Sequence, residues 1–192
     1  MRPRNFQDER CRRFIGAATA VVLITATTAG VALGAGGSGG IDSDGTSGGE
    51  APVTGSTEGV FPIRGKHSYG DGLGAGRGHQ GQDLLAKCGK AVVSAQPGRV
   101  QTNEYHGAAG NYVVIDGKGA IEDMVYMHLQ SRSAIREGQR VDAGDELGRV
   151  GDTGSASACH LHFELWSNPG YYEGGEPLDP APSLKRWDSK RK

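Results

Sequence analysis

The chain predicts an all-β fold, a single antiparallel β-sheet or sandwich-like domain preceded by an N-terminal apolar helix. Short runs rich in Val, Tyr, Ile and Phe follow residue 60, and they are five to seven residues long. Gly, Asn and Asp separate these runs at intervals that suit antiparallel pairing. The helix is predicted from a long uncharged, apolar stretch near the start of the chain. No internal repeat is evident.

The N-terminal residues predict export. Residues 1–13 hold five Arg against Asp8 and Glu9 and form an expected basic cytoplasmic segment. Residues 14–36 include about the twenty apolar residues that a bilayer-spanning helix needs, and the positive-inside rule keeps the Arg-rich end in the cytoplasm. This segment is either a retained single-pass anchor or a cleaved signal peptide, because Ala32-Leu33-Gly34 resembles a small-x-small cleavage site. The remainder is expected outside the plasma membrane.

Three further segments complete the expected organisation. Residues 37–58 are Gly, Ser, Thr and acidic residues with almost nothing to bury, which is typical of a flexible tether. Residues 59–183 form the folded domain, and residues 184–192 form a basic, solvated tail. The formal net charge of −1 gives no reason to expect a polyanionic partner, so we expect no nucleic-acid binding.

Six strands are predicted inside the folded domain. Their alternation of apolar and polar residues and their flanking turn residues favour strands over helices. The abundance of Gly, 33 residues in all, also favours tight turns. Within the folded domain, the only helical period falls at Ser131–Glu137. The predicted strands are Ala91–Ala95, Arg99–Tyr105, Asn111–Ile115, Met124–His128, Glu146–Val150 and Leu161–Trp166.

Two imidazoles lie two residues apart on the last of these runs. Alternate side chains of a strand share a face, so His160 and His162 point the same way. The apolar residues between and after them form a core face. Neighbouring imidazoles suit metal binding, or one ligand beside one acid–base group; a solvated strand face is the alternative. The face that carries the imidazoles consists of His160, His162, Glu164 and Trp166.

A second short motif, His79-Gln80-Gly81-Gln82-Asp83, places a histidine and a carboxylate four residues apart. Surrounding glycines make a helix improbable, so a loop running into Asp83 is expected. Alone, this spacing also fits a solvated His in a glycine-rich loop. Zinc accepts imidazole nitrogens and carboxylate oxygens. Three side chains from the two motifs could form a zinc site with an open position, and zinc lowers the pKa of a bound water to about 7. The pattern therefore predicts a hydrolase.

The remaining histidines are less informative. His128 ends a strand-like run, where a lone His is usually structural. A zinc hydrolase nevertheless gains from an imidazole near the attacking water or the developing oxyanion, and His128 is a candidate for that role. His67 and His106 lie in turn-like segments and receive no assignment.

Cys88 and Cys159 are the only cysteines in the part expected outside the membrane, so we predict a disulfide between them. The bridge would tie the two metal-binding motifs together. A thiolate zinc ligand is the alternative, but Cys159 should face away from His160 on the strand.

At this point the chain resembles the lysostaphin-like (LytM-type, M23) zinc metallopeptidases. The motifs that match are HQGQD at 79–83, YMHL at 126–129 and CHLHFELW at 159–166, and the likeness covers roughly residues 60–182. Gln80 departs from the best-known pattern, in which a second His often follows the first. The resemblance implies an antiparallel sheet with a metal-binding groove that holds one zinc ion.

The resemblance also implies a role for each candidate residue. His79, Asp83 and His162 would be the zinc ligands, and His128 and His160 would activate water and stabilise the tetrahedral oxyanion. Members typically hydrolyse peptide bonds in peptidoglycan stems or cross-bridges, which implies action at the outer face of the plasma membrane or in the cell wall.

Two other functions stay open at this point. Some relatives have lost ligands and serve as peptidoglycan-binding or amidase-activating domains, although no required side chain is missing here. A sugar-transport phosphocarrier can share a similar β-fold and a His pair, but export argues against it. Whether a regulatory protein partner controls the enzyme also stays open at this point.

Overall fold

The computed structural model describes residues 58–76, 78–117 and 122–191. The predicted basic segment, apolar helix and nearly all of the tether lie outside these residues. Within the described part of the chain, no helix has the length and apolar character needed to cross a bilayer.

Ten strands and one helix make up the described domain. We number them in chain order, and most strands are short because Gly and Pro punctuate the sequence. The strands are β1 Ser68–Tyr69, β2 Gln82–Leu85, β3 Ala91–Val93, β4 Gly98–His106, β5 Gly110–Asp116, β6 Asp123–Leu129, β7 Arg140–Val141, β8 Glu146–Arg149, β9 His160–Trp166 and β10 Pro177–Leu178; the helix is α1 Ala181–Ser189.

The strands form one large and one small antiparallel sheet. The large sheet has the order β1-β2-β9-β6-β5-β4-β7, with β10 pairing to β9, and β3 pairs with β8 in the small sheet. The predicted antiparallel all-β class is therefore confirmed. Each of the six predicted strands is present, with ends that differ by no more than two residues.

The hydrophobic core joins the two sheets and the helix. Leu161 and Phe163 of β9 are fully buried, as the alternation predicts, and they share the core with Val92 of β3 and Leu147 of β8. Removing a side chain of this size from water stabilises a fold by roughly 1.5–3 kcal/mol. The core therefore fixes which face of β9 points inward.

The opposite face of β9 is covered rather than solvated. His162, Glu164 and Trp166 are 7%, 2% and 2% exposed. Tyr171, in the loop after β9, packs edge-on against Trp166 with ring centroids 5.0 Å apart. The alternative of a solvated strand face is wrong, because this loop and the segment before β2 enclose the polar residues.

The helical period at Ser131–Glu137 does not form a helix. The Asn103 side-chain amide donates to the carbonyls of Ser133 and Ile135, at 2.9 Å and 2.7 Å. The backbone N–H of Asn103 donates to the Glu137 carboxylate, 3.1 Å away. These contacts to β4 take up carbonyls that a helix would use internally, so tertiary hydrogen bonds override the local pattern.

The helix lies where the sequence suggests a basic tail. α1 spans Ala181–Ser189, so residues 184–189 are helical and part of the domain. Leu184 and Trp187 are buried three residues apart on one helix face, while Lys185 and Arg186 remain exposed. A nine-residue helix with two apolar anchors among charged residues gives only a weak periodic signal.

A disulfide joins Cys88 to Cys159. Cys88 lies in the turn between β2 and β3, and Cys159 immediately precedes β9. The bridge therefore links the segment that follows Asp83 to the segment that precedes His160.

Replacing Trp187 by Ala should lower the free energy of unfolding by about 3–5 kcal/mol, the usual cost of deleting a buried large aromatic side chain. Trp187 is 3% exposed and packs edge-on against Phe163. Urea denaturation followed by circular dichroism measures the change. Lys185→Ala, on the exposed side of the same helix, is the matched control and should stay near wild type. Equal stability of both variants would show that the helix does not contribute to the core.

Replacing both Cys88 and Cys159 by Ala should lower the free energy of unfolding by about 4 kcal/mol in the chain-entropy account, since the bridge closes a separation of 71 residues. Urea denaturation with and without reductant measures it. Reductant should destabilise the wild type and leave the double variant unchanged. A double variant as stable as the oxidised wild type would contradict the expectation.

Candidate metal centre

The pairing of β2 with β9 brings the two motifs together. Leu84 lies opposite Leu161 on the core side, and Asp83 lies opposite His162 on the other face. Leu84 and Leu161 are both fully buried, so the core fixes this register. A slip of one residue would turn Asp83 into the core and Leu84 out of it. Hydrophobic burial on one face therefore places the carboxylate beside the imidazole on the other.

The loop before β2 places His79. Its backbone is held by two hydrogen bonds, from Gly74 N to His79 O at 2.8 Å and from His79 N to Ala75 O at 3.1 Å. Gly81 lets this loop close onto β9, because a Cβ there would collide with the carbonyl oxygen of Phe163. Of the glycines in this loop, Gly81 thus permits a close backbone approach, whereas Gly74, Gly76 and Gly78 adopt positive φ.

Three possible metal-ligand atoms lie close together. His79 Nε2 and His162 Nδ1 each lie 3.0 Å from Asp83 Oδ1. One ligand atom from each of these residues lies within 4.8 Å of the other two. The structure therefore brings together the three side chains that were predicted from the sequence as zinc ligands.

The chemistry of this donor set suits a divalent cation. His79 Nδ1 lies 2.9 Å from the carbonyl oxygen of Gly72, which can only accept, so Nδ1 carries the proton. In a neutral ring, Nε2 then presents a lone pair to the Asp83 oxygen. Two acceptors at 3.0 Å need a positive charge between them. Two imidazole nitrogens and a carboxylate oxygen are ligands that zinc accepts.

Charge and burial act together on Asp83 and His162. Burial favours the neutral acid of Asp83, but the hydrogen bond and charge of His162, with the other imidazoles, outweigh burial and lower the pKa of Asp83. Burial likewise opposes protonation of His162. Its hydrogen bonds to Asp83 and Glu164 outweigh that effect and raise the pKa of His162 to about 9. The pocket thus favours positive charge between its carboxylates.

Glu164 supports His162 from the far side of the ring. Its Oε1 lies 2.9 Å from His162 Nε2, and its Oε2 accepts a hydrogen bond from Trp166 Nε1 at 2.6 Å. The sequence placed Glu164 on this face of β9 but suggested no role for it. The alternation that groups it with the two histidines is the signal that could have found it.

His128 lies beside the three converging residues in an unusual backbone conformation. Its φ is 61°, the only positive φ at a non-glycine residue among the described residues. Such a conformation is costly enough to point to a functional constraint. Nδ1 lies 2.8 Å from the carbonyl oxygen of Thr153, which leaves Nε2 as the free acceptor. Burial is the main cause that lowers the pKa of His128 to about 4, so the ring is neutral near pH 7.

His160 is the fourth imidazole of this cluster. Its Nδ1 lies 2.8 Å from the carbonyl oxygen of Ala158, and its Nε2 lies 3.6 Å from Asp83 Oδ1. The rings of His128 and His160 are 4.6 Å apart between centroids. The Nε2 atoms of His128 and His160 therefore lie beside the three possible ligand atoms, because the Nδ1 of each ring faces a backbone carbonyl.

Thr153 holds the backbone around His128. Its hydroxyl donates to the carbonyl of Leu129 at 2.7 Å and accepts from the N–H of Asn111 at 3.0 Å. Gly110, at φ 68°, admits this contact, because a Cβ there would collide with the hydroxyl. Thr153 was missed in the sequence because its contribution is made by long-range hydrogen bonds.

The other candidate groups have local partners. The His67 ring stacks on Phe61 at 4.1 Å between centroids, and His106 Nδ1 accepts from the N–H of Ala108. A carboxylate oxygen of Asp152 lies within 4.8 Å of the sulfurs of Cys88 and Cys159, but these sulfurs are bonded to each other. They therefore offer no thiolate to a cation while the bridge is intact.

Other proteins are similar in sequence to part of this chain. Peptidoglycan DD-endopeptidase ShyC of Vibrio cholerae is 35% identical over 92 residues, which are 48% of this chain and 21% of ShyC. The chain thus spans about a fifth of the length of the first curated relatives that it matches.

Solved structures show the same fold. The catalytic domain of the antimicrobial peptidase lysostaphin from Staphylococcus simulans matches with a TM-score of 0.56 and 28% identity, over 62% of this chain and 92% of that domain. A zinc-containing peptidase from Vibrio cholerae matches with a TM-score of 0.54 and 27% identity, over 65% of this chain and 38% of that chain.

The sequence pattern of one family covers the whole candidate centre. The family model for peptidase family M23 matches residues 77–180, more than half of the chain, and this range includes both ligand motifs and His128. The chain belongs to peptidase family M23.

Proposed function

We propose that this protein is a zinc-dependent endopeptidase that hydrolyses peptide bonds in peptidoglycan stems or cross-bridges outside the plasma membrane. The observation that carries the proposal is the convergence of His79 Nε2, Asp83 Oδ1 and His162 Nδ1 beside two further imidazoles. The relative ShyC is named a peptidoglycan DD-endopeptidase, which supports the substrate class.

The proposed zinc ligands are His79, Asp83 and His162, and one ion would occupy the centre. Both ligand imidazoles are oriented by an acceptor behind the ring, the Gly72 carbonyl for His79 and the Glu164 carboxylate for His162. Such partners fix the tautomer and direct the remaining nitrogen at the metal. The ligand set is thus preorganised by the fold.

In the proposed mechanism, bound zinc supplies a Lewis acid that polarises the scissile carbonyl and lowers the pKa of water. His128 is neutral near pH 7, and Nε2 can accept the proton of the attacking water. The neighbouring His160 lies close enough to share this role. The ring that holds the proton can donate a hydrogen bond to the developing oxyanion and then protonate the leaving amine.

The proposal includes the expected organisation of the whole chain. Residues 14–36 would act as a single-pass anchor or a cleaved signal, and residues 37–58 as a tether. The domain would then face peptidoglycan from the membrane or from the wall. A disulfide between Cys88 and Cys159 is compatible with this oxidising location.

A non-catalytic peptidoglycan-binding or amidase-activating domain is the second candidate, and the intact ligand set speaks against it. Incubation of the purified protein with sacculi, with and without chelator, separates the two. Chelator-sensitive release of muropeptides supports the enzyme. Binding without release, in zinc-loaded protein, would favour the second candidate.

His162→Ala should abolish zinc retention and muropeptide cleavage together, because it removes a proposed ligand at the centre of the hydrogen-bonded cluster. Zinc content by mass spectrometry and cleavage of defined muropeptides measure the two effects. His67→Ala, at a histidine that packs against Phe61, is the matched control and should retain both. Intact cleavage by the His162 variant would show that the site is wrongly assigned.

His128→Ala should retain zinc but lower kcat about 10²- to 10⁴-fold, the usual contribution of a positioned acid–base group. His128 is proposed to act on protons rather than on the metal, since its Nδ1 is engaged by Thr153. Single-turnover cleavage and zinc content, measured on the same sample, separate the two roles. Loss of zinc in this variant would refute the assignment.

A further inference from the structure

Glu164 is a buried carboxylate with a hydrogen-bond donor on each oxygen. Its Oε1 faces His162 Nε2 at 2.9 Å, and its Oε2 faces Trp166 Nε1 at 2.6 Å. All three residues lie on the same face of β9, at alternate positions. Glu164 is 2% exposed, so neither oxygen can exchange its partner for bulk water.

We propose that Glu164, held by Trp166, is a positioning residue for His162. This inference rests on the proposed function, because it concerns how His162 presents a nitrogen to zinc. A carboxylate can only accept, so it fixes a ring proton on Nε2. Nδ1, on the Asp83 side of the ring, is then the nitrogen that would exchange its proton for zinc. The indole N–H can only donate, so it fixes the carboxylate in turn.

The surroundings leave Glu164 little freedom. A Cβ at Gly81 would lie 2.9 Å from Glu164 Cγ, so the backbone of the His79 loop lies directly against this side chain. On the other side, the Trp166 ring packs edge-on against Tyr171. The orientation of His162 is therefore set by packing that extends from the loop before β2 to the loop after β9.

A glutamine cannot replace this carboxylate. Its side chain has one acceptor oxygen and an NH₂ group, whereas the site presents two donors, His162 Nε2–H and Trp166 Nε1–H. One donor would face the NH₂ group. Trp166→Phe removes the second donor, so a glutamine in that background can turn its oxygen to His162. The two substitutions should therefore compensate.

Zinc affinity tests the inference. The full-length chain, purified in mild detergent, is titrated with zinc against a competing chelator as wild type, E164Q, W166F and E164Q/W166F. E164Q should raise the Kd for zinc about 10- to 100-fold, as expected for the partner behind a ligating His. In the W166F background, E164Q should raise the Kd for zinc by a much smaller factor. A role in packing alone would not produce this rescue.

Asn103→Ala is the matched control. Asn103 is a buried polar residue of β4, in the same sheet, and its side-chain amide donates to the carbonyls of Ser133 and Ile135. The variant should unfold at lower denaturant concentration and keep the wild-type Kd for zinc. A zinc Kd raised as much as by E164Q would mean that loss of any buried polar side chain of this sheet has the effect, and would overturn the inference.

A measurement on the wild type covers the case in which E164Q fails to fold. NMR of zinc-loaded protein with ¹⁵N-labelled histidine should show a slowly exchanging proton on Nε2 of His162. A proton on Nδ1 would overturn the inference.

The results distinguish the inference from the proposed function. A wild-type chain that binds no zinc contradicts both. Wild-type binding with an unchanged Kd in E164Q contradicts the inference alone. An E164Q effect of the same size with and without W166F contradicts the two-donor account of how Glu164 is held.

Discussion

The pairing of β2 with β9 is the constraint on which the rest of the site depends. Leu84 and Leu161 are buried opposite each other, and this apolar contact sets the register that puts Asp83 beside His162. The polar face is thereby a consequence of the core face.

Each imidazole of the cluster is oriented by an acceptor behind it. Three rings use backbone carbonyls, those of Gly72, Thr153 and Ala158, and His162 uses Glu164. The three carbonyls come from loops, and the loops of Gly72 and Thr153 make close contacts that Gly81 and Gly110 permit. The loops thus contribute as much to the site as the strands do, because they decide which ring nitrogen faces inward.

The sequence predicted much of the fold because strand periodicity is local. The alternation on β9 placed Leu161 and Phe163 in the core and put His160, His162 and Glu164 together on the other face. β1, β2, β7 and β10 were not predicted as strands, since each has only two to four residues and too short a pattern to detect. The helix containing Trp187 was interpreted as a tail because its stability comes from tertiary packing.

Convergence of the site residues was inferred from a family resemblance rather than from spacing alone. Neither the contact between Asp83 and His162 nor the positive φ of His128 has a local signal in the sequence. The supports of the site, Thr153 and Glu164, act through hydrogen bonds that depend on the folded chain. A single sequence shows which residues could make such hydrogen bonds, but it does not show which partners they meet in the folded chain.

X-ray absorption at the zinc edge of the loaded full-length chain tests the central claim most directly. The account predicts one zinc per chain with nitrogen and oxygen neighbours only, at about 2.0–2.2 Å, from two imidazoles and one carboxylate. Sulfur neighbours at about 2.3 Å would instead indicate cysteine ligands. That result, or a chain that takes up no stoichiometric zinc, would contradict the account.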